Sequence, residues 1–170
     1  GEIADQINDQ LSGLRTLGIN RANLTKLSLS TGEKARSIDT LSDIELADLQ
    51  SRLDANGVHC YCVTSPVAKY SVDTDSRLVS QQLERSIIAA NILQARYLRI
   101  FSFAVRDGSD TSTDRDQIHR AFEGIVTTIE TLGTGVIPLL ENNYRMYTAD
   151  GPSTRDLLAD YEPSRVALAF

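Results

Sequence analysis

Apolar residues along the chain fall into two alternating patterns. Ile3, Ile7, Leu11, Leu14 and Leu17 recur at helical spacing, and Gly18 is a natural stop. Ile19 to Leu24 then reads as a short strand, and Thr25 to Thr40 as a long polar loop. A second helix is expected from Leu41 to Asn56. Ser42 and Glu45 form a capping box at its start, Leu49 and Leu53 share its inner face, and Asn56-Gly57 closes it. Val58 to Val63 is the next strand, broken by Pro66. A long helix from Ser76 to Gln94 offers Leu78, Leu83, Ile87, Ile88, Ala90 and Leu93 for burial.

The alternation continues to the end. Tyr97 to Phe103 is a strand, Ala104 to Asp116 a polar loop, and Gln117 to Leu132 a helix that stops at Gly133. Val136 to Leu140 is a strand, and Asn142 to Pro152 a loop. Ser153 to Tyr161 is a short helix capped by Ser153 or Thr154, and Val166 to Phe170 a last strand. These strands read as apolar on both faces. That pattern predicts βα units around a parallel sheet covered by helices. In such sheets ligands bind at the carboxyl ends of the strands. The run Val136-Ile137-Pro138-Leu139-Leu140 ends in Glu141-Asn142-Asn143, which places a carboxylate and two amides at such an end.

Composition narrows the picture. The 170 residues suit one domain with a real core, and 41% hydrophobic with 24% charged residues is an ordinary globular mix. The net charge of −6, with 17 scattered Lys and Arg, disfavours nucleic-acid binding. No apolar run is long enough to span a membrane, and GEIADQINDQ lacks the basic and apolar regions of a signal peptide. Cys60 and Cys62 flank Tyr61 and are expected on one strand face, poorly placed for a bridge. They read as buried strand thiols of a reduced, cytoplasmic protein, with metal or redox duty as the alternative.

The segments TSPVAK (64–69), LQARYLRIFSF (93–103) and VIPLLENN (136–143), in that order and followed by STRDLLADYEPSRVALAF, resemble the xylose-isomerase-like barrels. These are the sugar and sugar-phosphate isomerases and epimerases, grouped with the endonuclease-IV type fold. The resemblance implies an α/β chain of (β/α)8 TIM-barrel type. Residues 1–170 would form one partial barrel domain of about strands two to six, completed by further sequence or by a partner chain, a homo-oligomer included. It implies that Glu141 ligates a divalent metal ion (Mn, Mg, Zn or Co) and serves as acid/base. The usual Asp, His and second Glu ligands have no counterpart here. The implied reaction removes a proton next to a metal-polarised carbonyl of a small sugar or sugar-like substrate.

Other residues keep two readings each. Arg99 lies within an apolar strand, so it needs a partner. It could pair with Glu141 across strands, or bind an anionic substrate group. Ser102 ends the same strand and is a candidate to face the pocket. Ser65 and Lys69 follow the preceding strand, and Lys69 could hold a phosphate or carboxylate or be a solvated loop lysine. Asn142 and Asn143 could contact substrate hydroxyls or serve a turn. His59 is expected at the core or at the end far from the site, His119 on a solvated helix flank, and Tyr61, Phe101 and Phe103 in the core. A dehydratase or lyase of the same fold and a non-catalytic barrel fragment are the competing functions. An apurinic-site endonuclease would need more histidine ligands than the two in this chain and a basic groove.

Overall fold

The structure is a computed structural model, and it describes residues 6–105 and 111–169. Ile3 and Phe170, expected in the first helix and last strand, lie outside the described residues, as do 106–110 of the loop expected after Phe103. The elements run α1 (Ile7–Thr16), β1 (Arg21–Leu24), β2 (Lys26–Leu27), β3 (Arg36–Ser37), α2 (Asp43–Ala55), β4 (His59–Thr64) and α3 (Ser76–Ile92), then β5 (Tyr97–Ile100), α4 (Thr111–Leu132), β6 (Ile137–Glu141), α5 (Gly151–Leu158) and β7 (Ala167–Ala169). Five strands form one sheet in the order β1-β4-β5-β6-β7. Every pair in it is parallel. Helices join successive strands of this sheet, as parallel neighbours require. The architecture is α/β, an incomplete barrel of (β/α)8 type.

Local chemistry sets most boundaries as expected. The Ser42 side chain accepts from Glu45 N at 3.3 Å, while Ser42 N donates to Glu45 Oε2 at 2.8 Å, closing the capping box. Gly133 ends α4 where a Cβ would sit 2.5 Å from the Ile129 carbonyl oxygen. Several boundaries differ, three of them informatively. The segment 25–40 is not a plain loop. Its sparse Leu27, Leu29 and Ile38 are buried, and they hold the β2–β3 ribbon and a 3-10 turn over Ile38–Thr40. The helix α4 begins at Thr111, six positions before Gln117. The cap of α5 is Asp150, whose Oδ1 accepts from Ser153 N at 2.7 Å, rather than Ser153 or Thr154.

The strands are not apolar on both faces. Leu98, Ile100 and Leu140 are fully buried in the helix-side core with Ile87, Phe122 and Val126, while Tyr97, Arg99, Leu139 and Glu141 alternate with them and are half-buried. The opposite face of the sheet is only partly covered, so period-two alternation appears where a closed core was expected. Leu78 is 60% exposed instead of buried. Tyr61 is exposed as well, because it is the extra residue of a β-bulge: Ala22 pairs with Cys60 and Asn23 with Cys62. The bulge also separates the thiols. Cys60 joins the helix-side core, whereas Cys62 lies where Arg99 and Glu141 act on it. Both are free and buried.

Candidate active site at the strand carboxyl ends

Parallel register places Thr64 beside Arg99 and Arg99 beside Leu139, two residues before Glu141 on the same face. The half-buried Arg99 Nη1 donates to Glu141 Oε2 at 2.5 Å, and Nη2 donates to the Ser65 carbonyl at 3.0 Å. Its guanidinium carbon lies 4.4 Å from the Phe101 ring centroid. Its buried Nε has no hydrogen-bond partner among the described residues. The Glu141 side chain remains 33% exposed, against 16% for Arg99. The carboxylate is therefore held on one side and open on the other. The cross-strand pairing considered for Arg99 is the arrangement observed.

Lys69 joins the same ring from the loop after β4, its Nζ 5.2 Å from the Phe101 centroid. That loop is fastened to the end of β5: Phe101 N donates to Val67 O at 3.0 Å and Phe103 N to Ala68 O at 2.9 Å. Ala68 and Phe103 both take left-handed backbone conformations, with φ of 59° and 66°. Such conformations cost a non-glycine residue about 1–3 kcal/mol and persist where surrounding structure imposes them. Phe103 therefore turns the chain out of the sheet, so β5 ends at Ile100 although the apolar run continues.

Two of the expected contact residues lie elsewhere. Ser65 is fully buried; its Oγ donates to Arg99 O at 2.6 Å and accepts from Val67 N at 3.3 Å. Ser102 is also fully buried. Its Oγ accepts from Thr148 N at 3.0 Å and lies 2.7 Å from Thr148 Oγ1. Both serines hold the loops around the site rather than lining its open surface. Asn143 serves a turn: its carbonyl accepts from Met146 N at 3.0 Å. Asn142, half-buried, has its backbone N on the Ala169 carbonyl at 3.4 Å and its side chain without a hydrogen bond to described residues.

The histidines are outside this group. His59 lies exposed at the opposite end of β4. His119 is not a solvated flank residue; its Nε2 is 3.0 Å from Asp156 Oδ2, which also accepts from Tyr147 OH at 2.7 Å. Arg115 clamps the same carboxylate with Nε at 2.8 Å and Nη2 at 2.6 Å. Arg115 foremost, then Tyr147 and His119, hold Asp156 well below the usual carboxylate range. Burial pushes the Tyr147 phenol up to about 12. The sequence offers no local signal for this cluster, which joins α4, α5 and the loop after β6.

Comparison with solved structures identifies the architecture. The probable 3-DHS dehydratase AsbF of Bacillus anthracis superposes with a TM-score of 0.74 at 16% identity, over 96% of this chain and 56% of that one. The fold is that of the xylose-isomerase-like TIM barrels. D-psicose 3-epimerase from Clostridium cellulolyticum H10, solved with D-tagatose, gives 0.65 at 14% identity, over 98% and 58%. A xylose isomerase-like TIM barrel protein from Mycobacterium smegmatis, in complex with magnesium, gives 0.66 at 16%, over 95% and 54%. The chain thus spans little more than half the length of these structures. No family model and no curated protein matches the sequence.

A divalent ion needs several oxygen or nitrogen ligands. Among the described residues no three His, Cys, Asp or Glu side chains converge on one point. Glu141 by itself, with one oxygen already on Arg99, does not make a metal site. Among the described residues, no helix is long and apolar enough to cross a membrane.

Proposed function

We propose that the protein is an isomerase or epimerase that acts on a small sugar or sugar-like substrate by moving a proton at the carbon next to a carbonyl. The observation that carries this reading is Glu141. It ends β6 at the carboxyl ends of the strands, where barrels of this type bind ligands, and it is held by Arg99 on one side and open on the other. A carboxylate so placed accepts a proton from a bound substrate and returns it. Lys69 and the free amide of Asn142 are the groups available for substrate oxygens, with Asn143 beside them in the turn. Arg99, Ser65 and Ser102 hold the frame of the site. The named activities of the structural neighbours support sugar chemistry of this kind.

Metal dependence is part of this reading. Glu141 would supply one oxygen to a divalent ion that polarises the carbonyl; the other ligands are not among the described residues. A dehydratase is the second reading, favoured by the likeness to AsbF. The paired free thiols accord with a reduced, cytoplasmic setting.

The test is deuterium exchange. Ketohexoses are incubated with the protein in heavy water with added Mn²⁺, and NMR follows incorporation next to the carbonyl. Glu141→Gln should abolish incorporation while leaving the circular dichroism spectrum unchanged. Unchanged exchange in that variant would remove Glu141 from the chemistry. Loss of water from a keto substrate without exchange at recovered substrate would favour the dehydratase.

A further inference from the structure

A second polar hollow lies at the other end of the sheet. It measures about 450 Å³ and is lined by Arg21, His59, Tyr61, Arg96 and Tyr97 from the amino ends of β1, β4 and β5, and by Gln50 of α2. Tyr61 and Tyr97 pack edge to face with centroids 5.1 Å apart. Arg21 lies 5.4 Å from the Tyr61 centroid and Arg96 5.9 Å from that of Tyr97, so the ring pair has a guanidinium at each end. No carboxylate lines the hollow, and neither guanidinium has an ion pair with a described residue. In a chain of net charge −6, this concentration of unpaired cations is out of character.

One detail favours a ligand over a solvated surface. The β4 bulge places Tyr61 in the hollow; without the extra residue the side chains of β4 would alternate differently past this point.

We propose that this hollow is a binding site for a small molecule that carries an oxyanion on a carbon skeleton, such as a sugar phosphate. The oxyanion meets Arg96 or Arg21 with His59 beside it, and the carbon skeleton lies on the two tyrosine rings. The site is separate from Glu141 and does not depend on the activity proposed for it.

The experiment titrates the protein with glucose 6-phosphate, inorganic phosphate and glucose, following heat and the His59 ring signals by NMR. Glucose 6-phosphate should bind saturably and shift His59, inorganic phosphate more weakly, and glucose undetectably. Arg96→Gln and Arg21→Gln should each weaken glucose 6-phosphate by about tenfold or more, the scale of one charge-assisted hydrogen bond. Tyr61→Ala should remove its advantage over inorganic phosphate. Arg15→Gln, on exposed α1, and Glu141→Gln should leave binding intact. These positions are exposed or half-buried, so melting curves verify that each variant is folded. Absence of saturable binding, equal weakening by Arg15→Gln, or loss in Glu141→Gln would each overturn the proposal.

Discussion

Arg99 and Glu141 meet at 2.5 Å across neighbouring parallel strands, and the same guanidinium reaches back 3.0 Å to the Ser65 carbonyl. One side chain therefore bridges the carboxyl ends of β4, β5 and β6. Its neighbour Phe101 lies 4.4 Å away as a fully buried floor.

Removing either partner should cost similar stability but have unequal effects on activity. Arg99→Met leaves Glu141 able to turn to solvent but breaks the tie to Ser65. Glu141→Gln leaves a half-buried cation with one carboxylate fewer. Urea denaturation should show a loss of about 2 kcal/mol for each. The exchange activity should fall by about 100-fold or more only where the base is removed, in Glu141→Gln. Retention of full activity by Glu141→Gln would sink the role given to that residue.

Ser102 is predicted to matter through the loop after β6. Ser102→Ala leaves the Thr148 backbone N–H without its buried acceptor, a loss of about 1–3 kcal/mol. Amide exchange should quicken first around Thr148 and Thr154, whose side-chain oxygen donates to Thr148 O at 3.3 Å. Unchanged protection there would show that the loop is held by other contacts.

Acid should weaken the fold in a defined window. Glu45 is lowered to about 2, by its Arg36 hydrogen bond first and then by Ser42, and Asp156 is lowered by Arg115 first. Carboxylates depressed in the folded state stabilise it above their unfolded pKa of about 4, and that stabilisation is lost as pH falls through the folded value. Melting temperature should therefore drop between about pH 4 and pH 2. The deficit of Glu45→Gln or Asp156→Asn, measured at pH 7, should shrink across the same interval. Both carboxylates are about one-third exposed, so added salt should reduce these deficits too. A pH-independent deficit would contradict the assignment.

The thiols should be silent in the folded protein. Burial pushes Cys60 up to about 12 and Cys62 up to about 11, and the bulge between them keeps them from bridging. A thiol reagent at pH 8 should titrate neither in the native protein and both in denaturant. Rapid native reaction would mean that the sheet opens readily around β4.

Much of this was legible in the chain. The alternation of periods showed the βα order, because helices and strands bury residues at different spacings. Ser42-x-x-Glu45 marked a helix start, and Gly133 a stop, since both act within one turn. The position of Glu141 followed from the end of an apolar run. Local spacing was silent elsewhere. Phe101 to Phe103 read as strand, yet a left-handed Phe103 turns the chain away. The Cys60-Tyr61-Cys62 spacing implied one face, yet a bulge split it.

The amino-acid sequence by itself determined the alternation of helices with the strands of the main sheet, the Ser42 cap and the carboxylate at a strand end, because these depend on residues a few positions apart. Tertiary structure alone decided which groups meet. Arg99 finds Glu141, Ser102 finds Thr148 and His119 finds Asp156 across separations of 42, 46 and 37 residues. Such contacts depend on parallel register and on the loops that pack over the sheet, and no local pattern encodes either.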